Sequence, residues 1–158
     1  MCASGKTFLS EELSSFFDAL IIHTDDFYLP RGEKDLTLSN DGNIDLKRLK
    51  EEIIDNLNKD TLVYRKFSCQ KQEMNSSITL NSKPLIIIEG SYSLDPYFGK
   101  YYDLSIFMKI NPSTQLERIK KRNPNNFNDF LNKWIVLENR YNAFYKIEDN
   151  ANLIIENN

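Results

Sequence analysis

Two kinds of apolar segment alternate along the chain: short continuous runs, and longer stretches in which apolar residues recur every three to four positions. Phe8, Leu9, Leu13, Phe16 and Phe17 hold the second spacing and predict a helix over Thr7 to Phe17. Ala19-Leu20-Ile21-Ile22 is a run of the first kind, a buried strand that ends in Thr24-Asp25-Asp26. Leu46, Leu49, Ile53 and Leu57 predict an amphipathic helix from Asp45 to Asn58. Leu62-Val63-Tyr64 and Ile78-Thr79-Leu80 predict a small antiparallel pair. Pro84 then introduces Leu85-Ile86-Ile87-Ile88, a strand running straight into Glu89-Gly90.

Leu104 to Ile110 is a further strand, and Asn111-Pro112 read as N-cap and first residue of a helix continuing through Ser113 to Arg122. Phe127, Phe130, Leu131, Trp134, Leu137, Tyr141, Phe144 and Tyr145 keep helical spacing for about five turns, an aromatic stripe expected in the core. Asn152 to Ile155 supply a last strand.

Strands alternating with helices imply an α/β fold, a parallel sheet flanked by helices, with ligands outside the carboxyl ends of the strands. Asp25 and Glu89 map to such ends. Residues 1–158 read as one domain, interrupted over 30–43 by a polar, aperiodic stretch expected to be a mobile loop or lid.

Composition narrows the chemistry. A chain of 158 residues, 41% hydrophobic, can bury a substantial core, and a net charge of -3 gives no field for long nucleic acid. No stretch reaches the roughly 20 apolar residues that cross a bilayer, so a cytoplasmic protein without membrane or nucleic-acid partners is expected. Cys2 and Cys69 are too few for a disulfide framework or a four-ligand zinc site. His23, the single histidine, excludes two-histidine metal sites and reads more readily as a packing or capping residue than as a base.

The chain opens Met-Cys-Ala-Ser-Gly-Lys-Thr, and Gly5-Lys6-Thr7 supply the second half of G-x-x-x-x-G-K-[ST]. That pattern wraps backbone N–H groups around phosphates, with Lys on the β and γ oxygens and the hydroxyl on Mg²⁺. Ala3, Ser4, Gly5, Lys6 and Thr7 are thus candidate ATP-binding residues. The motif's first glycine would fall one position before Met1, as would the hydrophobic strand that feeds such a loop. A first, central strand lying upstream in a longer parent protein is the expectation.

Phosphoryl transfer needs a phosphate cradle, a metal and a group that positions the nucleophile. One of Asp25 and Asp26 could accept the proton of an attacking hydroxyl, though an Asp pair after a strand also serves as a turn cap. Glu89, after three buried isoleucines, is costly unless paired or metal-linked, and is assigned with Thr7 to Mg²⁺. Arg118 and Arg122 stand four apart on the predicted helix 112–122; solvation explains them plainly, and charge delivered to the transferring group, in the manner of a lid, explains them functionally.

These features, in this order, resemble the uridine kinase and phosphoribulokinase group of P-loop kinases, specifically a bacterial uridine kinase-like branch. The resemblance rests on Ala3-Ser4-Gly5-Lys6-Thr7, Thr24-Asp25-Asp26-Phe27-Tyr28, Ile87-Ile88-Glu89-Gly90, Leu116 to Arg122, and Trp134 to Tyr141. It implies transfer of the γ-phosphoryl of ATP to a nucleoside 5'-hydroxyl, uridine or cytidine, as in pyrimidine salvage. Lys6 and Thr7 would serve ATP and Mg²⁺, Asp25 the acceptor hydroxyl as base, and Asp45, Tyr64 and Tyr28 the acceptor, with Arg118 and Arg122 as lid arginines. The family's histidine after the Tyr-containing strand is replaced by Arg65-Lys66. Pantothenate or a sugar phosphate remains an alternative acceptor, as does a non-catalytic remnant. A homo-oligomer is compatible with the sequence.

Overall fold

The computed structural model describes residues 1–33 and 43–158. Most of the loop expected over 30–43 therefore lies outside the described residues; of its flanks, Arg31–Glu33 form one 3-10 turn and Asn43 is buried. The chain groups into two compact units, Thr7–Tyr101 in one and Met1–Lys6 with Tyr102–Asn158 in the other.

In the first unit, α1 (Lys6–Phe17), which belongs to it from Thr7 onward, leads into β1 (Leu20–His23), which pairs in parallel with β4 (Ile86–Glu89). The register sets Leu20 against Ile86 and His23 against Glu89, so both predicted acidic strand ends terminate at the same edge of one small sheet. A 3-10 turn, Thr24–Phe27, carries Asp25 and Asp26 immediately after β1. Between the paired strands come α2 (Leu46–Glu52) and the antiparallel ribbon β2 (Thr61–Ser68) with β3 (Glu73–Asn81). Ile22, Phe27, Leu49, Ile53 and Leu62 are fully enclosed and form the core of this unit. Each such apolar side chain contributes about 1.5–3 kcal/mol by leaving water.

The helix expected over Asp45 to Asn58 is shorter than its spacing suggested. It stops at Glu52, and Ile54–Asn56 continue as a 3-10 turn, which keeps Ile53 and Ile54 buried while tightening the path into β2. In α1 the predicted apolar face is largely uncovered: Phe8, Phe16 and Phe17 are 66%, 77% and 61% exposed. Helical spacing identifies a face; it does not say whether anything covers it.

In the second unit, β5 (Ile106–Lys109) pairs in parallel with β6 (Leu153–Glu156). Between them runs α3 (Pro112–Arg122), capped as expected by Asn111, whose side chain accepts from the Thr114 N–H at 2.9 Å. The stripe predicted as one long helix is three segments: α4 (Phe127–Asp129), a π-helical stretch (Phe130–Trp134) and α5 (Ile135–Phe144), followed by α6 (Ile147–Asn150). Along the stripe Tyr141 is buried and Phe144 is 63% exposed. Among the described residues, β4 pairs only with β1 and β5 only with β6. No helix among them is long and apolar enough to cross a membrane.

Candidate functional site

The loop before α1 holds an uncommon backbone. Ala3 has φ +55° and Gly5 φ +92°, while Ser4 between them does not share the positive φ. Alternation of this kind turns successive N–H groups toward one side, the concave arrangement that binds anions, and α1 follows directly at Lys6. The loop closes on itself through the Met1 carbonyl, which accepts from Ser4 Oγ at 2.6 Å and from Lys6 Nζ at 2.6 Å.

Side chains that the sequence did not flag as functional hold this loop. Cys2 N–H donates to Glu138 Oε2 at 2.6 Å, and Glu138 is buried within α5. Burial and the Glu138 carboxylate together push the Cys2 thiol up to about 12. Gln115 Nε2 donates to the Cys2 carbonyl at 2.9 Å, and Asn157 Nδ2 donates to the Ser4 carbonyl at 2.8 Å. Arg118, expected as a lid arginine, reaches the Ala3 carbonyl and Asn157 Oδ1 through long bonds of 3.4 Å each. Arg122 behaves differently, donating to Asn123 Oδ1 at 2.8 Å with its guanidinium 6.0 Å from the Phe130 ring centre. Gln115 shares a helical face with Arg118, three residues on, which is a signal a spacing argument could have used. For Asn157 no local signal exists.

In the other unit the strand ends converge on Glu89. Its Oε1 lies 2.6 Å from His23 Nδ1 and accepts from the Thr7 hydroxyl at 3.2 Å. The bond to Glu89 raises the His23 pKa, working against the desolvation that lowers it. His23 stands at the N-cap position of the turn Thr24–Phe27 without a side-chain cap bond, and its ring instead partners the carboxylate that follows three isoleucines. Gly90, next in the chain, sits at φ +146° because the Thr24 side chain occupies the space of a Cβ.

Each of the two consecutive aspartates receives a tyrosine hydroxyl. Tyr28 hydrogen-bonds Asp25, and burial followed by that carboxylate lifts its phenol pKa far above the ordinary value. Tyr64 donates to Asp26 Oδ2 at 3.0 Å, and Lys66 Nζ lies 3.0 Å from the same oxygen. The Tyr64 ring, expected against an acceptor, is 2% exposed and stacks on Phe27 with centroids 5.3 Å apart. Asp45, expected to contact a ribose, N-caps α2: its Oδ1 accepts from Arg48 N–H at 3.0 Å.

Arg48 ties these pieces together. Its guanidinium lies 4.4 Å from the Phe27 ring centre and donates to the carbonyls of Asp26 at 3.1 Å and Arg65 at 2.7 Å. The turn that carries Asp25 and Asp26 is therefore fastened to both α2 and β2.

Magnesium is a hard cation that takes few protein oxygens and completes its shell with phosphate and water. The Thr7 hydroxyl and Glu89 carboxylate, 3.2 Å apart, suit that role. Among the described residues no group of three or more His, Cys, Asp or Glu is placed to hold a metal ion.

No protein-family profile matches the chain, and no curated protein matches it. Solved structures do. A possible uridine kinase from Bacillus stearothermophilus superimposes with a TM-score of 0.73 at 18% identity, over 98% of this chain and 84% of that one. A chain assigned as a fructose transport system kinase from Silicibacter sp. TM1040 gives 0.61 at 19% identity, over 96% and 84%. The chain thus shares its α/β fold, parallel strands flanked by helices, with these two structures.

Proposed function

We propose that the protein is an ATP-dependent kinase that transfers the γ-phosphoryl group to a nucleoside 5'-hydroxyl, uridine or cytidine. The observation that carries this reading is the Thr7–Glu89 hydrogen bond. It joins the residue after Gly5-Lys6 to an acid at a strand's carboxyl end, the pairing a magnesium-nucleotide site requires.

The roles follow from the side chains. Lys6 supplies a positive charge to the phosphates, and the N–H groups of the loop around Gly5 orient them. Thr7 and Glu89 would hold the cation, whose chemistry, when it is bound, is to neutralise charge on the β and γ oxygens. His23 fixes the rotamer of Glu89 through its 2.6 Å contact. Asp25 accepts the proton of the acceptor hydroxyl and aims that oxygen for in-line attack; the Tyr28 hydroxyl keeps its carboxylate oriented. No covalent intermediate on the protein is involved.

A second reading keeps the chemistry and changes the acceptor to pantothenate or a sugar phosphate. Arg65-Lys66, in place of the histidine that the resemblance implies, favour it, since basic side chains suit an anionic acceptor, Lys66 being ion-paired with Asp26 at 3.0 Å.

Acceptors assayed side by side for ADP release separate the two readings. The first expects uridine or cytidine to exceed every other acceptor in kcat/KM by about tenfold or more, a difference of about 1.4 kcal/mol in transition-state binding. Turnover of the anionic acceptors alone would replace it with the second, and absence of turnover together with absence of ATP binding would overturn both.

A further inference from the structure

The glycine of Gly-Lys-Thr is ordinarily explained by the ligand it must admit. Here a protein side chain also lies against it, at a φ of +92° that already favours glycine. A Cβ built on Gly5 would lie 2.5 Å from Asn157 Nδ2, so the amide of Asn157 fills the space any other residue would need.

Three successive carbonyls of the loop are claimed in order. Cys2 O accepts from Gln115, Ala3 O from Arg118 and Ser4 O from Asn157. A trans peptide is planar, with N–H and C=O pointing in opposite directions. Holding the carbonyl of residue i therefore fixes where the N–H of residue i+1 points. The donor on Ser4 O sets the Gly5 N–H, and the donors on Cys2 O and Ala3 O set those of Ala3 and Ser4. A flip of the Ser4–Gly5 peptide would present an oxygen, in place of a hydrogen, to an incoming phosphate, and a flip of the Ala3–Ser4 peptide would break the bond from the Ser4 N–H to the Met1 carbonyl at 3.3 Å.

We infer that Gln115, Arg118 and Asn157 form a brace on the carbonyl side of the phosphate loop, and that Asn157 is a positioning residue that keeps the Gly5 N–H presented to nucleotide phosphate. The inference rests on the nucleotide-binding reading above. It makes Arg118 a holder of the loop. Asn157 is itself placed by the strand that precedes it: its backbone N–H donates to the Lys109 carbonyl at 2.9 Å, extending the β5–β6 pairing, and its Oδ1 faces Arg118.

Asn157→Ala removes both side-chain contacts, whereas Asn157→Asp keeps the acceptor that faces Arg118 and deletes the donor to Ser4. Full-length wild type and both variants are compared by titration with ATP and Mg²⁺, by steady-state kinetics, and by hydrogen–deuterium exchange of residues 2–6 without nucleotide. Both variants are expected to weaken ATP binding about tenfold through lost preorganisation. KM for ATP should rise more than kcat falls, and the loop amides should exchange faster while β5 and β6 keep their protection. Unchanged loop exchange in both variants overturns the brace, even if ATP affinity drops, because Asn157 would then act on the nucleotide directly. Should the variants lose protection throughout the unit, Gln115→Ala, which removes the donor to Cys2 O, takes their place: faster loop exchange supports the brace and unchanged loop exchange overturns it. If wild type itself binds no ATP, the kinase reading fails, and exchange of the nucleotide-free loop still decides whether the brace exists.

Discussion

His23 Nδ1 lies 2.6 Å from Glu89 Oε1, across a register in which these two residues are the last pair of β1 and β4. A lone histidine and a lone strand-end glutamate, 66 residues apart in sequence, thus form one unit. Replacing His23 with Ala should lower stability by about 1.5–3 kcal/mol, the range for a hydrogen bond to a charged group, as read by urea unfolding. His23→Asn, which places an amide donor near the position of Nδ1, should recover part of it. Equal losses in both variants would mean that the imidazole matters for packing alone.

Gly90 tests the closeness of the same strand ends. Any Cβ there would overlap Thr24 Oγ1 and come 2.8 Å from Thr24 Cβ, at a φ of +146° that side chains disfavour. Gly90→Ala is expected to cost on the order of 3 kcal/mol or more. Thr24→Ala in that background should restore a measurable fraction, a non-additivity that thermal melts of the double mutant would show. Thr24 Oγ1 is buried and has no hydrogen-bond partner among the described residues, so Thr24→Val alone should be neutral or stabilising by up to about 1 kcal/mol.

Arg48→Ala should destabilise by about 3 kcal/mol, since it removes the donors from two carbonyls and the cation stacked on Phe27. Arg48→Lys should recover less than half, because an ammonium can neither fork to both carbonyls nor stack flat on the ring. Denaturation curves for the two variants decide this.

The two thiols should differ in reactivity. Burial and the nearby Glu138 carboxylate favour the neutral thiol at Cys2, lifting its pKa to about 12. At pH 8 the thiolate is then on the order of one part in 10⁴, and alkylation should speed up only as pH climbs toward that value. Cys69 is exposed. Native protein at pH 8 should therefore take up one thiol reagent quickly and the second only on unfolding, with peptide mass spectrometry assigning the fast site to Cys69. Glu138→Gln, which removes the charge, should accelerate labelling of Cys2.

Asp25→Asn should reduce kcat by about 10²–10⁴, the usual contribution of a general base, with ATP binding retained. Tyr28→Phe removes only the hydroxyl that orients the Asp25 carboxylate. Its expected effect is about tenfold on kcat, since a displaced catalytic group still reacts when it finds its geometry. Turnover near wild type in Asp25→Asn would remove that residue from the mechanism.

Elements set by their immediate neighbours in the chain are legible from the residues themselves. The runs Ala19 to Ile22 and Leu85 to Ile88 supply the paired parallel strands β1 and β4, as uninterrupted apolar runs lead one to expect, although the residues of β4 are half-buried rather than enclosed. Asn111-Pro112 starts α3, since cap and first-turn preferences are local. What depends on distant partners is not legible. Nothing near His23 announces Glu89, and nothing near Asn157 announces Ser4. The aromatic stripe after Phe127 gives no warning of a π turn, whose side-chain spacing differs from an α-helix by a fraction of a residue. Nor does anything near Tyr64 in the sequence announce that its hydroxyl meets Asp26 and its ring Phe27.

Ala3 carries a methyl group in a left-handed conformation, at φ +55°. Such a residue holds about 1–2 kcal/mol of unfavourable torsional energy in the native state. Gly at this position would be free of that penalty in the folded chain, but it would also widen the conformations open to the loop before folding. An alanine here therefore sacrifices some fold stability for a binding turn that is already shaped, and random variation at residue 3 should favour Gly, Asn or Asp while rejecting β-branched side chains.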